Sequence, residues 1–126
     1  MRLLLDTAVL IYAVESPEKL SKRVASSLVD TENILELSSV SLVEIAIKTA
    51  IGKLKMSEDV TREALETLGI RVLPFTADHA FQLFALPLHH ADSFDRQIIA
   101  QALAEQIPVI TPDSSFRRYK KLKVIW

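Results

Sequence analysis

The stretch RLLLDTAVLIYAV, residues 2–14, decides how the rest of the chain is read. Arg2 to Leu5 is short, apolar and stopped by the turn-capable Asp6, which makes it a buried strand. From Thr7 to Val14 the apolar pattern is continuous and reads as a short helix, broken at Ser16-Pro17. A strand followed at once by a helix is the pattern that recurs outward from here.

Leu20 to Val29 reads as an amphipathic helix, with Leu20, Val24, Leu28 and Val29 apolar at near-helical spacing. Ile34 to Val40 reads as a second strand, and Ser41 opens a helix through Ala50. Ser57 opens another helix, which ends at Gly69. Ile70 to Leu73 is a third strand, stopped by Pro74. Thr76 caps a helix to about Leu86, and after the loop 88–91 a helix runs from about Ser93 to Glu105. Pro108 to Thr111 is a fourth strand, and Val124 to Trp126 a fifth at an edge. The chain's two glycines, Gly52 and Gly69, fall where helices should end. Strands that are near-continuous apolar runs belong in a parallel sheet covered on both faces. With no repeat and no linker, residues 1–126 are expected to form a single domain.

Composition narrows the function classes. Hydrophobic residues make up 49% of the 126, and the mean hydropathy is +0.23, which excludes a disordered chain. The absence of cysteine excludes disulfides and thiolate metal sites, and suits a cytoplasmic location. The apolar N-terminus is interrupted by Asp6 and lacks a small-residue cleavage site, so it is not read as a signal peptide. No segment is long enough to span a membrane. A formal net charge of −1 means that any nucleic-acid site must be local.

Four carboxylates stand at one predicted edge. Asp6 follows the first strand directly, and Asp113 lies two residues after Thr111, where the fourth strand ends. Glu44 and Asp95 sit in the first turns of the predicted helices from Ser41 and Ser93. In parallel sheets, sites form beyond the carboxyl ends of the strands. Clustered carboxylates repel unless their pKa values rise or a cation neutralises them. Magnesium or manganese suits such an all-oxygen site. Each acid also has a plain structural reading. Asp6 and Asp113 suit N-caps, Ser41-Leu-Val-Glu44 fits a capping box, and Asp95 suits the positive end of a helix.

The segments LLLDT at 3–7, SLVEIAIK at 41–48, LPLHHADSFDRQIIAQA at 86–102 and VITPD at 109–113 resemble the PIN-domain ribonucleases. Within them, the likeness is to the toxins of VapBC-type toxin–antitoxin pairs. It runs from Met1 to Trp126 and includes GKL at 52–54 and the terminal VIW. The resemblance implies a three-layer α/β/α fold with a mainly parallel sheet of about four to five strands. It implies a Mg2+- or Mn2+-dependent endoribonuclease that acts on tRNA, rRNA or mRNA, with Asp6, Glu44, Asp95 and Asp113 as the metal and catalytic residues. It also implies a homodimer and a VapB-type antitoxin. Many close relatives carry His after the first D-T and read D-P-F-D-R. Here Ala8 and Ser93 stand at those positions, so the resemblance implies less about substrate choice than about the presence of a site.

Other residues carry weaker signals. Asp92 fits an N-cap facing Asp95, or a further acid supporting the site. Thr7 and Thr111 suit hydrogen bonds near the metal, or ordinary turns. His89 and His90 are adjacent and point in different directions, which argues against a histidine metal site. Lys48 is spaced to pair with Glu44, and is also placed to contact phosphate. Arg96 has the geometry to clamp a phosphate. The run Arg117, Arg118, Tyr119, Lys120, Lys121, Leu122, Lys123 reads as an RNA-tracking patch with a stacking tyrosine, or as a charged edge that discourages sheet pairing. Leu20, Leu28, Ile51, Leu54 and Met56 are candidates for an interface and equally for core. Trp126 is expected to pack on an edge strand.

Two other function classes compete. One is a PIN-fold domain that has lost catalysis and only binds nucleic acid or protein. The other is a different phosphotransfer fold. A haloacid-dehalogenase-like phosphatase wants Asp-x-Asp after the first strand, whereas this chain has Asp6-Thr7-Ala8. A receiver domain wants an acidic pair before its first helix and a lysine after its last strand, and that arrangement is absent.

Overall fold

The computed structural model describes residues 1–126. The chain alternates strands and helices: β1 (Arg2–Leu5), α1 (Thr7–Glu15), α2 (Lys22–Val29), β2 (Ile34–Ser38), α3 (Ser39–Ala50), α4 (Glu58–Thr67), β3 (Arg71–Leu73), α5 (Ala77–Ala85), α6 (Ser93–Glu105), β4 (Val109–Ile110) and β5 (Val124–Ile125). The five strands form one parallel sheet in the order β3-β2-β1-β4-β5. The expected three-layer α/β/α architecture is therefore present.

Alternation along β1 divides the core in two. Leu3 and Leu5 face α1, α2 and α4, in a cluster with Leu35, Leu37, Val9, Leu10, Val24 and Ala64. Leu4 faces the other way and packs with Ile98, Ile99, Ala102, Val109, Phe116 and Tyr119. The second face carries one charged intrusion. Glu36 on β2 is buried opposite Leu4, and both Arg2 and Arg71 reach it. Arg2 also binds Glu105 at the end of α6, so one guanidinium ties the sheet to that helix.

α5 is held by a capping box of an unusual kind. The Thr76 hydroxyl accepts from the His79 backbone N–H, while His79 Nδ1 accepts from the Thr76 N–H at 2.9 Å. That acceptor role leaves the proton on Nε2, which faces Glu105 at 3.0 Å. Together with Arg2, it holds the Glu105 carboxyl below its ordinary range.

Several boundaries differ from the sequence reading. β2 ends at Ser38 rather than Val40, and the Ser38 hydroxyl caps α3 by accepting from Val40. α3 thus begins at Ser39, and Ser41 is not its cap. Polar Ser38 and Ser39 outweigh the apolar Val40, because a serine oxygen satisfies a backbone N–H that would otherwise be orphaned. The segment from Leu20 is not helical at its start. Pro17–Lys19 forms a 3-10 turn, and Ser21 caps α2. A second 3-10 turn, Ser114–Arg118, follows β4.

Gly69 ends α4 at φ +64°, as the sequence suggests, but α6 ends on a left-handed Gln106 at φ +56°. A side chain there carries a steric cost that glycine lacks. Gln106→Gly is expected to raise stability by about 0.5–1 kcal/mol in denaturant titration.

Candidate metal centre

The strand order reverses at β1, with β2 on one side and β4 on the other, and the crevice beyond that point is where parallel sheets place ligands. Asp6 leaves β1 there. It occupies the N-cap position of α1 but makes no side-chain cap. Its carboxylate instead accepts from the Thr111 hydroxyl at 2.7 Å, and the Thr111 oxygen in turn accepts from the Asp113 backbone N–H. Asp113 begins the 3-10 turn and caps it through one oxygen, which accepts from Ser115.

The helices contribute the other acids. Glu44 lies on α3 and is 7% exposed. The expected capping box with Ser41 does not form, since the helix opens earlier. Ser41 is buried and accepts a hydrogen bond from Thr7, which joins α1 to α3. Lys48 does pair with Glu44, at 2.5 Å and one turn on. That leaves Glu44 Oε1 buried without any partner. Asp95 sits in the first turn of α6, and Asp92 is the N-cap that accepts from its backbone N–H.

All five acids line one open depression of about 390 Å³, with Thr7, Ala8, Ile11, Tyr12, Lys48 and Pro112. Lys48 is the only cation among the lining residues. Burial pushes the Asp6 carboxyl up to about 6, against the lowering effect of the Thr111 hydrogen bond. Burial, then the charges of Asp6, Asp92, Asp113 and Glu44, push Asp95 up to about 8. Glu44 beside it holds Lys48 firmly protonated. As placed, no three His, Asp or Glu side chains meet at one coordination point. The donor set nevertheless fits a hard divalent cation. It is all oxygen, it carries the unpartnered Glu44 oxygen, and its self-repulsion is relieved by positive charge.

The remaining candidates divide. Arg96 does not line the depression. Its guanidinium donates to the carbonyls of Leu86 and Pro87 and to the Tyr119 hydroxyl, so it braces a loop rather than standing ready for phosphate. Tyr119 is buried in the core and has no free face for a base. Arg117, Arg118, Lys120 and Lys121 are exposed, and Arg118 donates to the His89 carbonyl. Leu28 and Met56 are buried, and Leu20 and Leu54 pack on the core, which leaves Ile51 alone exposed among the interface candidates. Trp126 packs on the core and against Tyr12. Sequence reasoning missed His90, whose Nε2 reaches within 3.4 Å of Asp95. No helical or strand periodicity links a loop histidine to that carboxylate. It also missed the exposed apolar groups Phe81, Phe84 and Leu88.

A sheet that is parallel throughout, with acids gathered at its switch point, makes this an α/β protein with an acidic crevice. The family within that class follows from comparison. The family model described as PIN domain matches residues 3–122, and the chain belongs to that family. In fold it is similar to a crystal structure of VapBC2 from Rickettsia felis bound to a DNA fragment from their promoter, with TM-score 0.75, 21% identity, and 99% of this chain and 98% of that one covered. VapBC-1 from nontypeable Haemophilus influenzae is similar at TM-score 0.69 and 23% identity, over 99% of this chain and 97% of that one. VapBC-5 from Mycobacterium tuberculosis, of the VapBC family of toxin–antitoxin systems, is similar at TM-score 0.63 and 22% identity, over 98% and 97%. No curated protein sequence matches. No helix is long and apolar enough to cross a membrane.

The raised carboxyls set a pH dependence. Asp6 and Asp95 hold their protons more tightly folded than unfolded, so stability falls as pH rises from the ordinary carboxylate range to about 6 and about 8 respectively. Thermal melts in EDTA should show this decline. Asp95→Asn should remove its upper part, and an unchanged slope in that variant would contradict the assignment.

Proposed function

We propose that this protein is a VapC-like toxin, a metal-dependent endoribonuclease that hydrolyses phosphodiester bonds in RNA and is restrained by a VapB-type antitoxin. The observation that carries the reading is the acidic depression at the sheet's switch point, with buried Asp6 and the unpartnered Glu44 oxygen inside it. Membership of the PIN-domain family and the likeness to VapBC proteins support it.

In this reading Asp6, Glu44, Asp95 and Asp113 hold Mg2+ or Mn2+. A divalent ion bound there lowers the pKa of water and stabilises charge developing on the phosphate. The chain's own residues do the rest. Thr111 fixes one Asp6 oxygen, so that carboxylate is oriented before anything binds. Thr7 and Ser41 lock α1 against α3, which sets the spacing of Asp6 and Glu44. Lys48 offsets part of the acidic charge and is placed to meet a phosphate at the rim. Arg117, Arg118, Lys120 and Lys121 offer an exposed basic surface for the RNA backbone, whether tRNA, rRNA or mRNA. Hydrolysis leaves a 5′-phosphate and a 3′-hydroxyl.

Two apolar surfaces suit the protein partners. A groove of about 500 Å³ between α3 and α4, lined by Leu42, Ala46, Leu65 and Val72, fits the apolar face of an antitoxin helix. On α5, Phe81 and Phe84 stack on each other while 67% and 88% exposed, with Leu88 beyond the helix exposed as well. Those three suit a homodimer interface, since exposed apolar clusters mark interaction sites.

The test is RNA cleavage by the purified protein. EDTA should abolish it, and Asp6→Asn or Asp95→Asn should lower the rate by about 100-fold or more while the fold survives, since even groups that only support metal ligands cost 10–100-fold. Folded Asp95→Asn protein that cuts at the wild-type rate would refute the assignment. A wild-type protein that binds RNA without cutting it would favour the binding-only alternative. For the dimer, Phe84→Glu should shift the sedimentation coefficient to that of a monomer.

A further inference from the structure

The loop between α5 and α6 brings a histidine to Asp95, although His90 does not itself line the acidic depression. His90 is half-buried, with Nε2 3.4 Å from Asp95 Oδ2 and Nδ1 2.8 Å from the Tyr119 hydroxyl. Arg96 Nη1 reaches the same hydroxyl at 3.2 Å. These contacts allow the following arrangement of protons. Arginine has only donors, so the Tyr119 oxygen accepts from Arg96. The Tyr119 hydroxyl can then donate its own proton to His90 Nδ1, with the N–H on Nε2 facing Asp95; the opposite tautomer, with Nδ1–H donating to the second lone pair of Tyr119, is the one the experiment below distinguishes. In that arrangement donation runs one way, from Arg96 to Tyr119 to His90 to Asp95.

The histidine does not depend on Asp95 for its place. Arg96 ties the loop through the Leu86 and Pro87 carbonyls, and Arg118 ties it through the His89 carbonyl. The imidazole sits against the rings of Tyr119 and Phe116. Asp95 is the member that needs holding. Its backbone N–H is taken by Asp92, and His90 is the one side chain that reaches its carboxylate. The acids around it offer its carboxyl no donor, so His90 is the side chain that holds its orientation in the depression.

We propose that His90 is a positioning residue of the acidic site: its Nε2–H fixes the orientation of the Asp95 carboxylate for a divalent cation, with the imidazole itself fixed by Tyr119 and Arg96. This rests on the metal-site reading above. A histidine that merely fills space would affect stability and leave cation affinity alone. A positioning histidine affects affinity in proportion to its donor.

The experiment uses Mn2+ as the probe, titrated calorimetrically into the metal-free full chain, beside 15N NMR of the His90 ring. The wild type should show the Nε2–H tautomer. His90→Ala should bind Mn2+ about 10-fold more weakly, the loss expected when the support of a metal ligand is removed. His90→Gln, whose amide N–H can take the place of Nε2–H, should recover most of the affinity. Tyr119→Phe keeps the ring and loses the proton that fixes the tautomer, so it should give a smaller loss in the same direction. If the wild type binds Mn2+ and His90→Ala, or Tyr119→Phe should His90→Ala not fold, binds as tightly, the proposal is overturned and the metal site stands. A proton on Nδ1 overturns it equally. A wild-type chain that binds no Mn2+ sinks the metal site, and the role of His90 with it.

Discussion

The pairing of β1 with β4 sets everything at the site. Leu5 lies beside Ile110 in that register, so the residues that follow, Asp6 and Thr111, emerge together beyond the sheet. The Thr111 hydroxyl then binds the Asp6 carboxylate across a sequence separation of 105. A one-residue slip would turn every side chain of β1 to the other face and break both halves of the core. The register that buries Leu3, Leu4 and Leu5 is thus also the one that orients Asp6.

From that fixed point the site follows by opposing forces. Burial and like charge both work against ionising Asp6 and Asp95. The Thr111 hydrogen bond works the other way on Asp6, and Lys48 places one cation beside Glu44. What is left over is a set of carboxylate oxygens that positive charge would stabilise. Asp92 and Asp113 show that a plain structural role and a place in the site are compatible. Each caps its turn through Oδ1 and still borders the depression. Capping a turn and bordering the depression are thus not exclusive for one side chain.

Local chemistry made much of this legible. The strand at Arg2–Leu5, the helix Ser93–Glu105 and the two glycine stops follow from apolar runs, caps and backbone freedom, all of which act within a few residues. The 38–41 region was harder, because Ser38, Ser39 and Ser41 are all acceptable caps and only pairing with β1 and β3 decides where the strand ends. Arg96 and Tyr119 misled for a related reason. A basic or aromatic residue beside a site advertises a ligand contact, but tertiary packing turned the guanidinium onto two carbonyls and the phenol into the core.

The sequence by itself determined the alternation of strands and helices, the parallel sheet, the four acids at one edge and the pairing of Lys48 with Glu44. Those depend on periodicity, caps and short spacings, which one chain segment carries alone. Only the tertiary structure decided that Thr111 serves Asp6, that one Glu44 oxygen stays unpartnered, and that His90 reaches Asp95 while Arg96 does not reach the depression. Those outcomes depend on which loop the packing of α5 against α6 brings beside which strand end, and nothing in a linear pattern states it.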